Sequence, residues 1–196
     1  EGSMSDKLKN FLVRTASGAV LLAIVAGASL SIYTYALLLF VIMVIGLVEF
    51  YKMARHNGSK PQFVTGIATG IVLFNAFALP AIGIHNNNFE GLEMLLSATV
   101  VFIVASTPLC LIIELFRVSE TPLRNIATTI LGVLYITIPL SLMMYIPILL
   151  AGNKWQPWYF LFYLFIVWAN DVFAYLVGVT MGKHRLCERI SPKKSW

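Results

Sequence analysis

Charge is scarce in this chain. Only 12% of its 196 residues are charged, while 59% are apolar or aromatic and the mean hydropathy is +0.82. Ordinary soluble domains carry about a quarter charged residues, so this one has too little polar surface for a water-soluble enzyme fold. Cysteine is nearly missing too. Cys110 and Cys187 match neither a zinc nor a redox spacing, which argues against a disulfide framework and a structural metal site. Apolar residues run continuously instead of alternating, so helices are preferred over the strands of a lipid-spanning barrel. No internal repeat, low-complexity linker or cleavable leader is evident, and Glu1-Gly2-Ser3 ahead of Met4 reads as a tag remnant.

What the chain has in abundance is long apolar runs. A stretch of about 20 residues, rising 1.5 Å each, crosses a hydrocarbon core of about 30 Å. Six runs fit: Ala16 to Ile32, Tyr35 to Tyr51, Phe63 to Ile84, Leu92 to Phe116, Ile126 to Leu150 and Trp158 to Met181. The expected architecture is all-α, a polytopic integral membrane helical bundle of about six transmembrane helices. Its organisation is a tag remnant and N-terminal segment over 1–15, the membrane region over 16–182 and a basic cytoplasmic segment over 183–196 that opens the next helix.

Cytoplasmic loops retain Lys and Arg, so basic residues orient the bundle. With six spans, Lys7, Lys9, Arg14, Lys52, Arg55, Lys60, Arg117, Arg124, Lys183, Arg185, Arg189, Lys193 and Lys194 share one side, 13 of the 14 basic residues, and Lys154 alone lies on the other. Both termini are then cytoplasmic. The net charge of +5 is a topology signal and an attraction to anionic headgroups, and needs no nucleic acid to explain it. Pro80, Pro108, Pro139 and Pro147 fall inside spans, where each removes a helical donor. Gly66 and Gly70, and Ala174, Gly178 and Gly182, are spaced for close helix packing and make a homodimer plausible.

Asp171 stands out, because a carboxylate well inside a span costs roughly 2.5–3.5 kcal/mol on insertion scales and should face protein, a cation or a watery cavity. Tyr175 and Gly178 follow it at helical spacing and leave a gap on that face. The plainer alternative is a hydrogen bond to another helix, with Asn170 helping. Glu49 and Glu114 have Lys52 and Arg117 three residues on and read as interfacial pairs. His56, His85 and His184 have no ligand spacing. In the tail, Ser191-Pro192 reads as an N-cap and first helical residue. Two lysines, Lys193 and Lys194, then stand where a helix favours anions, which points to a bound phosphate assisted by Lys183 and Arg185. The plainer alternative is a basic cluster that only fixes orientation.

The string Asn170-Asp171-Val172-Phe173-Ala174-Tyr175, then Gly178, Gly182-Lys183-His184-Arg185-Leu186 and Ile190-Ser191-Pro192-Lys193-Lys194-Ser195-Trp196 resembles the bacterial phosphatidate cytidylyltransferase family. The resemblance implies transfer of a cytidylyl group from CTP to phosphatidic acid in the inner membrane, giving CDP-diacylglycerol and pyrophosphate, with magnesium as cofactor. It implies that Asp171, Lys193 and Lys194 are catalytic, with Asp171 toward the metal, and that Lys183, Arg185, Ser191 and Tyr175 bind substrate. Val172 departs from the small polar residue usual there. The family's second signature, with His-Gly-Gly and paired metal-binding aspartates, is absent from these 196 residues, which are therefore expected to be inactive alone. Two other readings compete: a small ion-coupled transporter using Asp171, and a noncatalytic lipid-binding membrane subunit.

Overall fold

The computed structural model describes residues 2–180, 185–187 and 191–195. They form six helices, of which five are long and apolar enough to cross a membrane. The chain divides into two compact units, Glu1–Pro157 and Trp158–Trp196.

The first unit holds α1 (Gly2–Ala28), α2 (Ile32–His56), α3 (Phe63–Asn86), α4 (Leu92–Arg117) and α5 (Pro122–Leu149). Helices α2, α3 and α5 pack against one another, α4 lies against α3 and α5, and α1 lies against α2. Residues Tyr35, Leu39, Met43, Leu47 and Tyr51 recur every fourth position on α2 and are all buried, because that spacing returns side chains to one face of a helix. Opposite this stripe α3 and α5 supply hollows. A Cβ at Gly66 would collide with the Tyr51 ring and hydroxyl, and one at Gly132 would come within 2.6 Å of Tyr51 Cε1. The Tyr51 hydroxyl donates to the Thr129 carbonyl at 2.8 Å. The small residues of α3 thus serve helix packing, with Gly70 receiving Leu47 in the same way.

Helix α5 is irregular. Its α-helical turns pass into a π turn at Val133–Thr137 and a 3-10 turn at Met143–Tyr145. Each of these precedes a proline, Pro139 and Pro147, whose missing N–H frees a carbonyl one turn back and lets the ladder change pitch. Pro80 and Pro108 lie within α3 and α4.

The first span departs from its expected bounds. Helix α1 ends at Ala28 instead of continuing to Ile32, and its apolar part, Thr15–Ala28, is shorter than the roughly 20 residues a span requires. Ser29 Oγ donates to the Ala26 carbonyl at 2.7 Å and Thr34 Oγ1 to the Ala28 carbonyl at 2.6 Å. Short hydroxyl side chains of this kind compete for the carbonyls that would continue a helix.

The loops sort to two ends. At one, Trp155 Nε1 donates to the Ser29 carbonyl at 3.1 Å and its ring meets Tyr35 and His85. At the other, the α2–α3 and α4–α5 connections meet: Ser59 and Thr128 hydroxyls lie 2.9 Å apart, and Arg124 donates to the Asn57 carbonyl. Arg55, Lys60, Arg117 and Arg124 belong to this second end, while Lys154 sits beside Trp155 at the first. This matches the alternation that the basic residues predict.

The second unit, described by itself, contains α6 (Pro157–Thr180) and the strands β1 (Arg185–Cys187) and β2 (Ser191–Ser195). The strands pair antiparallel, Arg185 with Ser195 and Cys187 with Ser191. This corrects one expectation: Ser191 does not open a helix. The residue before a proline is pushed toward extended backbone.

Candidate functional site

The residues expected to do chemistry all fall in the second unit. Asp171 lies on α6 and is exposed, with Asn170 and Val172 exposed beside it. Tyr175 follows one turn later on the same helix. A carboxylate inside a span needs protein, a cation or water around it, and the described residues of this unit leave Asp171 exposed. Arg185 falls on β1, and Ser191, Lys193 and Lys194 on β2, so the backbone gathers these four into one hairpin. Lys183 lies outside the described residues. Ser191 and Pro192 begin a strand, so the helix dipole invoked from the sequence is not available to a phosphate here.

The first unit contains a polar cluster that the sequence only half revealed. Glu114, on the last turn of α4, is 3% exposed. One carboxylate oxygen accepts from Gln62 Nε2 at 2.9 Å and from Arg117 Nη1 at 3.0 Å, and the other from Asn125 Nδ2 at 2.7 Å. The expected Glu114–Arg117 pair is therefore present, but the acid is buried and held from three elements. Asn125 Oδ1 also accepts from the Lys60 backbone N–H at 2.7 Å, and Thr129 Oγ1 accepts from that of Gln62 at 2.8 Å. Held by three donors, Glu114 is a structural clamp between the start of α3, the end of α4 and the start of α5. Gln62 and Asn125 gave no signal in the sequence, since polar residues at the edges of apolar runs are what an interface ordinarily shows. Glu49 and Lys52 form the other expected pair, at 3.0 Å and exposed.

Among the described residues no three histidine, cysteine or acidic side chains stand together as a metal site. Asp171 offers a single carboxylate, and these residues alone do not compose a magnesium centre.

Several known proteins are similar to this chain. Phosphatidate cytidylyltransferase of Rickettsia bellii is 38% identical over 72 residues, covering 37% of this chain and 29% of that protein. The Rickettsia conorii protein of the same name is 32% identical over 72 residues, covering 37% and 30%. That of Aquifex aeolicus is 50% identical over 38 residues, covering 19% and 15%. The matched stretches span less than a third of these relatives' own length. No solved structure matches. The model of the cytidylyltransferase family matches residues 12–196, taking in α6, the paired strands and nearly all of the helical unit before them, and on that match the chain belongs to the cytidylyltransferase family.

Proposed function

We propose that the protein serves transfer of a cytidylyl group from CTP to phosphatidic acid, yielding CDP-diacylglycerol and pyrophosphate in phospholipid biosynthesis. The observation that supports it is the succession of an exposed carboxylate on an apolar helix and a lysine-bearing hairpin, within the span that the family matches. In the step envisaged, a phosphate oxygen of the lipid attacks the α-phosphorus of CTP. A new P–O bond forms, the bond from that phosphorus to the β-phosphate bridge oxygen breaks, and its electron pair leaves with pyrophosphate. Both reactants are polyanions, so the protein's work is positioning and neutralisation. Lys193 and Lys194 are assigned to the phosphates, with Ser191 and Tyr175 binding substrate and Lys183 and Arg185 at the rim. The acyl chains stay in lipid.

A magnesium ion belongs to the same reading. Mg²⁺ is usually held by one or two carboxylates together with substrate phosphates, and would add charge neutralisation. Asp171 is the carboxylate proposed for it. The bacterial inner membrane is the proposed location, with the basic end of the first unit on its cytoplasmic face. Pairing of two copies is an expectation from the small residues at Ala174, Gly178 and Gly182, and mass measurement in detergent checks it. The ion-coupled transporter finds no support in the family match.

The test is ligand-dependent melting of the detergent-solubilised chain. Millimolar CTP is expected to raise the melting temperature, and Lys193→Gln with Lys194→Gln to abolish the rise. No response to CTP, with a response to phosphatidic acid alone, would replace the transferase by the noncatalytic lipid-binding subunit.

A further inference from the structure

The basic residues at the second loop end divide into two kinds. Lys52 and Arg117 are neutralised by Glu49 and Glu114, each at 3.0 Å. Arg55, Lys60 and Arg124 are exposed, and among the described residues none of them is ion-paired with a carboxylate. Orienting a bundle requires only that such charges be present on one side. These three are also held in place. The Arg55 guanidinium lies 5.0 Å over the Phe63 ring, where a cation is attracted to the ring face. Arg124 donates to the Asn57 carbonyl, and its Nη1 stands 4.0 Å from where a Cβ at Gly58 would be, a position whose φ of 80° suits glycine. Lys60 is fixed through its backbone, whose N–H donates to Asn125 Oδ1 at 2.7 Å. All three therefore border the connection between α2 and α3.

Two helix starts add to the same charge. Helix α3 begins at Phe63 and α5 at Pro122, and the two meet through the Ser59–Thr128 and Gln62–Thr129 hydrogen bonds. A helix start carries about half a positive charge and favours an acid in its first turn. Neither helix has one, and neither N-cap residue, Gln62 or Thr121, bonds a first-turn amide through its side chain. Glu114, buried near both starts, is balanced by Arg117. Glu120, exposed in the α4–α5 connection, offsets at most one of the three cations. The excess is positive, and it selects an anion. Met53 and Val64, on the helices that flank the connection, are exposed and apolar. Cations bordered by apolar side chains at the end of a span suit a lipid headgroup more than a soluble phosphate.

We propose that Arg55, Lys60 and Arg124 form a binding site for the headgroup phosphate of an anionic phospholipid of the bulk bilayer. The site does not depend on the cytidylyl-transfer reading, because neither CTP nor any hairpin residue enters it.

The test uses the full chain in phosphatidylcholine nanodiscs containing a minority of phosphatidylglycerol, and counts by native mass spectrometry the lipids that stay with the released protein. Phosphatidylglycerol is expected at no less than about fivefold its share of the disc, and Arg55→Gln with Lys60→Gln should lower that enrichment at least about threefold. Neither side chain donates a hydrogen bond among the described residues, so this pair should melt with the parent. Arg124→Gln, which reads the same site from α5, should lower the enrichment as well. The control is Lys9→Gln with Lys52→Gln, which removes the same charge from the same end outside the site and should leave the enrichment unchanged. An equal loss from the two pairs overturns the site in favour of diffuse attraction, and so does a parent without enrichment. Release of the bound phosphatidylglycerol by pyrophosphate at a concentration about tenfold below that of sulfate, at matched ionic strength, overturns the lipid and gives the site to a soluble phosphate.

Discussion

Glu114 and Asp171 are both acids on membrane-crossing helices, and their surroundings are opposite. Glu114 is buried, with three donors aimed at its two oxygens. Asp171 is exposed on α6 between apolar neighbours, Trp168 and Val172 among them. A buried carboxylate held by three donors has little left to offer a substrate, and its presence is explained by what it joins. An exposed one on an apolar helix has no such explanation among the described residues of its own unit. The comparison teaches that an acid in a span is a functional signal only once its partners have been counted.

Substitutions can break this contrast or sharpen it. The largest effect is expected from Glu114→Ala, which leaves Gln62, Asn125 and Arg117 donors without their acceptor. Removing one member of a buried ionic cluster costs about 3–5 kcal/mol, so the variant should unfold at markedly lower denaturant in detergent. A loss confined to activity would move Glu114 into the same class as Asp171. Next, Gly132→Ala forces a methyl against Tyr51 and should cost about 1–3 kcal/mol by overpacking, read by the same denaturation. Asp171→Asn should leave that denaturation curve unchanged and weaken CTP binding at least about tenfold, or about 1.4 kcal/mol. A destabilised Asp171→Asn with normal CTP binding would make Asp171 a second structural acid. The smallest effect belongs to Glu49→Gln, since an exposed pair contributes about 0–1 kcal/mol, and its melting temperature should match the parent's.

The spans were legible because hydropathy is a property of each run by itself. The starts of α3 at Phe63 and α4 at Leu92 coincide with the apolar edges. Other ends overshoot: α2 continues past Tyr51 through Lys52, Arg55 and His56, because a helix keeps its backbone bonds as its side chains pass into the headgroup layer. The Glu114 cluster was not legible. Gln62 is 52 residues from Glu114 in sequence, and no local pattern marks two residues that only the packing of three helices brings together. The tail failed for a different reason. Serine then proline is a signal shared by helix starts and extended segments, and the pairing of Ser191 with Cys187 decided between them.

The Glu114 clamp also bears on how the protein is made. As the chain emerges, α4 delivers its acid when Gln62 has already passed and Asn125 is still to come, eleven residues behind. Until Asn125 arrives, one oxygen of the acid lacks its donor, so α4 gains by waiting for the beginning of α5. The translocation machinery is therefore expected to release these two helices into the bilayer as a hairpin, with the clamp closing at that moment.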